Sequence, residues 1–401
     1  MTDPARRPSR ASGPLPTGAD IIIIGGGIMG LALAYNLAVR GLSRILVLEA
    51  GYLASGASGR NGGGLRQQWS TEMNIRLMQE SMVICDDFAR DMHINIWMRR
   101  AGYLFLIRSQ ATQTQIERNI ALQNRCDVPT RLISMDDARR LVPELATDAF
   151  LAASYNPTDA VVFPWPFLWG YAGAAAKLGV AIHPETPVVG IERHGEDFTV
   201  TTARGAVRAP RVVNAAGAWS PRVAALCGLT LPNWPVRHEI LSTEPLKPFL
   251  KPMVSVLDSG LYVSQSMRGE LVGGITMPEP APDGTGHPRD SLLGSRLAFL
   301  DAMSDGLREI MPRLGDVKVV RQWAGPYDVT SDGNPIVGEA DEVPGFFLCC
   351  GFMGHGFMMA PVVAKYYALH LLGRETHPLF HKWRLGRFAE GDTEAEGMII
   401  G

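Results

Sequence analysis

Ile21-Ile22-Ile23-Ile24-Gly25-Gly26-Gly27-Ile28-Met29-Gly30 is the stretch that decides the fold. Four β-branched residues without polar alternation read as a strand buried on both faces, as in a parallel sheet covered on each side. The glycines that follow, Gly25, Gly27 and Gly30, are spaced G-x-G-x-x-G. Residues 28–39 contain no proline and are rich in Ala and Leu, which predicts a helix, and Gly41 suits the position just past its end. Ile45-Leu46-Val47-Leu48 reads as a second buried strand, ended by Glu49. The unit is β-α-β with the glycines in its first turn, the pattern of dinucleotide binding.

Each part has a physical task. Gly25 permits the tight turn, Gly27 lets a pyrophosphate approach the backbone, and Gly30 lets the helix press on the strand. Ile28 and Met29 open the helix, whose free N–H groups and positive dipole end suit phosphate. Glu49, with Ala50 beside it, lies about 20 residues beyond the last glycine, where a carboxylate accepts hydrogen bonds from a ribose diol.

The pattern alone leaves FAD and NAD open. Residues 54–64 (ASGASGRNGGG), running on to Leu65, favour FAD. Backbone donors at Gly59, Gly62 and Gly63 can wrap a long cofactor, and Ser58, Arg60 and Asn61 add side-chain bonds. A flexible surface loop is the plainer alternative. Two later stretches repeat the strand-to-small-residue turn. Residues 211–220 lead a buried strand into Ala215, Ala216, Gly217 and Trp219, and an ordinary strand-to-helix connection reads equally well there. Phe346-Phe347-Leu348 leads into Gly351, Met353, Gly354, His355, Gly356, Phe357 and Met358, with a helix expected over 362–372. Its dipole end, or a protonated His355, could stabilise negative charge on a reduced flavin.

Composition bounds the rest. The 401 residues are 46% hydrophobic and 19% charged, enough for a large core and against global disorder. Basic and acidic residues nearly cancel, 38 against 40, so nothing points to nucleic acid. No apolar run approaches the ~18 residues of a transmembrane helix. The five cysteines lack C-x-x-C spacing, which argues against a disulfide scaffold or zinc site and fits a reducing compartment, the cytoplasm. Residues 1–18 are polar and proline-bearing and are expected to be a disordered tail. The apolar run after Arg6-Arg7 is too short for a secretory leader.

The middle of the chain reads as helices from residue 70 and over 167–178, a strand at 102–107, and a short capped helix opening at Ser134. Hairpin turns are expected near 194–197 and 203–205. Strands at 236–243, 253–257, 261–264, 271–274 and 317–323, interrupted by a helix over 291–310, suggest an antiparallel sheet with helices on one side. The fold class is α/β plus α+β: a discontinuous Rossmann-type FAD-binding domain (19–95, 150–234, 325–401) and an inserted substrate domain (96–149, 235–324).

These pieces together resemble the D-amino-acid-oxidase-type FAD-dependent oxidoreductases. More narrowly, they are similar to the beta subunits of heterotetrameric sarcosine oxidase and to related proline dehydrogenase, opine oxidase and cyanide-forming glycine dehydrogenase subunits. The resemblance spans about residues 20–388. Its carriers are the first glycine turn, Leu48-Glu49, Gly59-Arg60-Asn61, Leu65-Arg66, Tyr262-Val263-Ser264-Gln265, residues 269–272, 321–325 and 331–338, and the turn from Gly351 to Gly356. It implies oxidation of an amino acid or secondary amine at the carbon beside nitrogen, with hydride passing to flavin N5. It also implies alpha-type partner subunits in a heteromeric complex. Arg66 matches the position that pairs with a substrate carboxylate, and Tyr262 an aromatic over the substrate. His238 replaces a small or apolar residue and could face the pocket. The plainer readings place Arg66 on a phosphate or surface acid, Tyr262 and His238 in packing, and His355 as a hydrogen-bonded turn histidine. Val188 and Gly325 join the cofactor set. Gly325 stands where monomeric sarcosine oxidases carry the cysteine that holds FAD, so FAD is expected to be non-covalent. Pro164 stands at the covalent-FMN histidine of the tetrameric beta subunit, which argues against FMN. Met358 stands where sarcosine oxidases carry a lysine, which argues against sarcosine itself. The competing classes are an NAD-linked dehydrogenase and a flavin-carrying scaffold or electron-relay subunit.

Overall fold

The structure is a computed structural model describing residues 13–278 and 293–399. A six-stranded sheet forms its centre. Its order is Ile336–Glu339, Phe346–Cys350, Val212–Asn214, Ile21–Ile24, Ile45–Leu48, Ala181–His183. All neighbours run parallel except the outermost strand, Ile336–Glu339. The unbroken isoleucines pack on both faces: Ile21 and Ile23 in a helical layer, Ile22 and Ile24 in the opposite core. Fully burying each such side chain contributes ~1.5–3 kcal/mol.

The helical layer holds Ile28–Val39, Glu72–Met92, Pro164–Lys177 and Gly356–Leu371. The opposite face is covered by the antiparallel sheet Val188–His194, Asp197–Thr202 and Gly205–Ala209, whose two hairpin turns fall as expected. Residues 13–18 dock on this sheet. Thr17 O accepts from Arg208 N, and the Arg204 guanidinium donates to Gly13 O. That part of the expected tail is therefore fastened to the molecule, while residues 1–12 lie outside the described residues.

A second sheet of eight strands stands over the first domain. Its order is Val319–Val329, Trp234–Pro245, Glu270–Gly274, Leu261–Gln265, Met253–Val256, Tyr103–Ile107, Ala152–Asn156, Arg131–Ile133. It is mixed rather than purely antiparallel, because Met253–Val256 runs parallel to Tyr103–Ile107. Ala152–Asn156 pairs with Tyr103–Ile107, and Val319–Val329 continues past Gly325. The sheet thus takes strands from both sides of the boundaries drawn at 150 and 325. One face packs on helices Met135–Leu141 and Leu297–Ile310. The expected start of the latter, at 291–292, lies outside the described residues. The other face, with Tyr103, Phe105 and Met253, turns toward the first domain. The helix expected over 362–372 begins earlier, at Gly356, and carries Pro361 inside it.

Candidate active site

The first glycine turn is built as its spacing requires. Gly25 has φ +123°, and a Cβ on it would lie 2.3 Å from Ala215 O. A Cβ on Gly30 would lie 2.0 Å from Gly25 O, the close helix–strand approach that only glycine allows. The Glu49 carboxylate accepts from Gly26 N at 2.8 Å and Gly51 N at 2.7 Å, tying the turn to the end of the second strand. Ser58 Oγ accepts from Ile28 N at 3.0 Å. The 54–64 stretch is fixed rather than loose. Arg60 Nε donates to Ser55 O at 3.1 Å and its Nη1 to Ala324 O at 3.2 Å, and Trp323 Nε1 donates to Arg60 O at 2.9 Å. Asn61 bridges Ser58 O and Gly63 N.

A cavity of about 490 Å³ runs over these elements. The first turn lines it with Gly25, Gly27, Ile28 and Met29, and the second strand's end with Glu49 and Ala50. Ser58, Arg60, Asn61, Gly62 and Gly63 follow, then Val188, Ala215, Ala216, Gly217 and Trp219. Gly325 and the run Met353, Gly354, His355, Gly356, Phe357 and Met358 also line it, as do Arg66, His238 and Tyr262.

Four expected cofactor residues do not line it. Gly30 is pressed on Gly25, and a Cβ on Gly59 would meet Ala54 O at 2.5 Å and Trp165 at 2.9 Å. Leu65 is fully buried in the helical core. Gly351 turns with φ +74° and donates its N–H to the Asp328 carboxyl. The three glycines shape close approaches and turns, and Leu65 packs the core.

Arg66 is 3% exposed, and burial pushes its pKa below the ordinary value. Its guanidinium donates to Gln68 O and Met398 O and lies 3.8 Å over the Trp69 ring. Among the described residues no carboxylate comes within ion-pair distance, so Arg66 is not on a surface acid. Trp69 in turn meets His355 edge-on at 4.9 Å. His355 is buried, and neither ring nitrogen has a hydrogen-bond partner among the described residues, so it is not the hydrogen-bonded turn histidine. Burial first, then Arg66, pushes His355 down to about 3. That direction disfavours a protonated His355 as the source of positive charge in this cavity. The N-terminal N–H groups of Gly356–Leu371, which have no intrahelical acceptor, remain for that task.

His238 is stacked between Tyr327, 4.4 Å away, and Tyr262, 5.7 Å away, and its Nε2 lies 3.1 Å from Tyr262 Oη. Burial pushes His238 down to about 4 and the Tyr262 and Tyr327 hydroxyls up, so this wall is neutral. Sequence reasoning missed Tyr103, Ser255, Tyr327, Asp328 and Ile399, which also line the cavity. Ser255 Oγ is buried without a partner among the described residues, and burial holds Asp328 up at about 6. Partner strands bring these residues in, and no local pattern marks them.

A Rossmann glycine cradle, a second strand–turn–helix and an orphaned imidazole on one cavity fit a long dinucleotide. Such a site on such a fold defines a flavin-dependent oxidoreductase. The family model described as "FAD dependent oxidoreductase" (DAO) matches residues 20–369, and the chain belongs to that family. Its cofactor is FAD. The chain is 28% identical to sarcosine oxidase subunit beta of Rhodobacter capsulatus, over 95% of this chain and 91% of that one. It is 30% identical to the protein of the same name from Rhizobium meliloti, over 93% and 89%. The solved L-proline dehydrogenase from P. horikoshii superposes with a TM-score of 0.87 at 32% identity, covering 95% of this chain and all of that one. Among the described residues no helix is long and apolar enough to cross a membrane.

Proposed function

We propose that this chain oxidises an amino acid or secondary amine of the proline, glycine, sarcosine or opine kind. The observation that carries this reading is Arg66, a buried cation on the cavity wall with no carboxylate within ion-pair distance among the described residues. A buried charge is unfavourable by several kcal/mol unless paired, so the site favours an anionic group on its ligand. The positive charge also disfavours a second cation nearby, which favours the substrate amine as its free base. Tyr262, His238 and Tyr327 supply a neutral aromatic wall that excludes water from that amine.

We assign Glu49, Ala50 and Val188 to the adenosine end of FAD, and Gly25, Gly27 and the first N–H groups of Ile28–Val39 to its pyrophosphate. Gly325 and residues 353–358 take the ring. FAD, when bound there, would supply the two-electron acceptor for oxidation at the carbon beside nitrogen. Gly325 offers no thiol and Pro164 no imidazole, so acid precipitation releases all the flavin, as FAD. The relatives named subunit beta support a catalytic-subunit role in a heteromeric assembly with alpha-type partners. The five free thiols fit the cytoplasm.

Anaerobic addition of proline, hydroxyproline, glycine, sarcosine and opines tests the reading. At least one bleaches the flavin, and the matching amine without a carboxylate bleaches it about 100-fold less efficiently. No bleaching with any of them, with and without partner subunits, refutes it.

A further inference from the structure

We propose that Glu396 is a positioning residue for Arg66, acting through residues 394–399 as a strap over the carboxylate end of the cavity. The proposal rests on Arg66 as the carboxylate anchor. Glu396 is buried and has no cation within ion-pair distance among the described residues. Five donors hold its carboxylate instead. Oε1 accepts from Ser70 N at 2.9 Å, Ser70 Oγ at 2.5 Å and Met398 N at 2.9 Å. Oε2 accepts from Thr71 Oγ1 at 3.1 Å and Asn74 Nδ2 at 2.9 Å. Thr71 is the residue that precedes the first turn of helix Glu72–Met92, so the carboxylate also sits at that helix's positive end. Asn334 Nδ2 donates to Glu394 O at 2.6 Å, and Glu396 N to Asp332 O at 3.0 Å, fastening the strap on its other side.

The strap delivers two things to the cavity. Ile399 lines it, and the Met398 carbonyl accepts from Arg66. Met398 is held twice: its N–H by Glu396, and its side chain by packing with Tyr103, Phe105 and Met253. Arg66 has five N–H donors, and two meet the carbonyls of Gln68 and Met398. Carbonyls fix the direction of the guanidinium without cancelling its charge. The remaining donors, without a partner among the described residues, are left for a carboxylate. Glu396 reaches neither substrate nor flavin. It fixes the carbonyl that fixes the fork.

The test is calorimetric titration of the holoenzyme with acetate, beside steady-state kinetics. Glu396→Ala is expected to weaken acetate at least tenfold and to raise KM for a carboxylate-bearing amine by the same factor. kcat should stay within about twofold, and FAD content and visible spectrum should not change. Met398→Gly loosens the same carbonyl while leaving the Glu396 latch intact, and is expected to act in the same direction. It carries the test if Glu396→Ala does not fold. Wild-type acetate affinity in the folded variants overturns the proposal, as does an equal rise in KM for the carboxylate-free amine. Arg66→Ala separates the two layers. If it loses acetate while the strap variants keep it, only the strap fails. If Arg66→Ala itself binds acetate normally, the anchor reading fails as well.

Discussion

Arg66 is held on three sides. Trp69 lies under its plane and two carbonyls direct its edge; Glu396 and Asp159 favour its charge from farther off, but no described carboxylate stands within ion-pair distance. Lysine would keep the charge but lose the planar fork. Arg66→Lys is therefore expected to raise KM for carboxylate substrates about 10- to 100-fold while the flavin spectrum stays native, read by stopped-flow bleaching. A second residue-scale prediction concerns the neutral histidines. His238 and His355 fall from 6.5 to about 4 and about 3 in the fold. Between those values and 6.5 the unfolded chain binds more protons than the native one, so stability rises with pH across that window and is lost as pH falls through it. His238→Phe keeps a ring between Tyr262 and Tyr327 but cannot titrate. Its unfolding free energy from urea titration is expected to fall less steeply than wild type from pH 6.5 to 4, by an amount on the order of a few kcal/mol at the acid end. Parallel profiles would show that His238 is not charged by unfolding.

At the scale of elements, the same device occurs twice: a buried parallel strand, a glycine turn, and a helix whose N-terminus meets the cavity. Gly30→Ala puts a methyl group 2.0 Å from Gly25 O, and the helix must then leave the strand. The purified variant is expected to hold less than about a tenth of the wild-type flavin, measured by the ratio of visible to ultraviolet absorbance. Gly173→Ala is the control within helix Pro164–Lys177. Its Cβ meets nothing within 4 Å, and it should stabilise by ~0.5–1 kcal/mol with full flavin. The first device is legible in the sequence because every part is local: strand, glycines, helix, strand and acid follow one another. The second is less so. Glycines and Pro361 make residues 351–361 read as one turn, yet helix Gly356–Leu371 starts inside it, packed against Ile28–Val39 and Glu72–Met92. Tertiary packing overrides local propensity there. The substrate wall is legible least. Arg66, Tyr262 and His238 enter through resemblance, whereas Ser255 reaches the cavity because it pairs across strands with Tyr262 and Phe105, a register no window of sequence contains.

For the whole molecule, the cavity joins what the chain separates: its walls run from Ile24 to Ile399 and draw on both large sheets. A ligand filling it would contact the first glycine turn, the Ala215–Trp219 turn, the 353–358 turn and the substrate sheet together. Its binding free energy therefore stabilises their mutual arrangement, not one element. Flavin removed by acid ammonium sulfate should lower the melting temperature. Returning FAD to about 100 times its Kd should restore ~2.7 kcal/mol, with the midpoint rising linearly in the logarithm of free FAD. Hydrogen exchange locates the effect. Amides at 25–30 and 353–358 should slow together on FAD addition although they lie at opposite ends of the chain, while those of Asp197–Thr202 and Gly205–Ala209, remote from the cavity lining, should not change. Slowing at one turn alone would mean that the two strand–turn–helix units bind the cofactor independently, and the single-cradle account would fail.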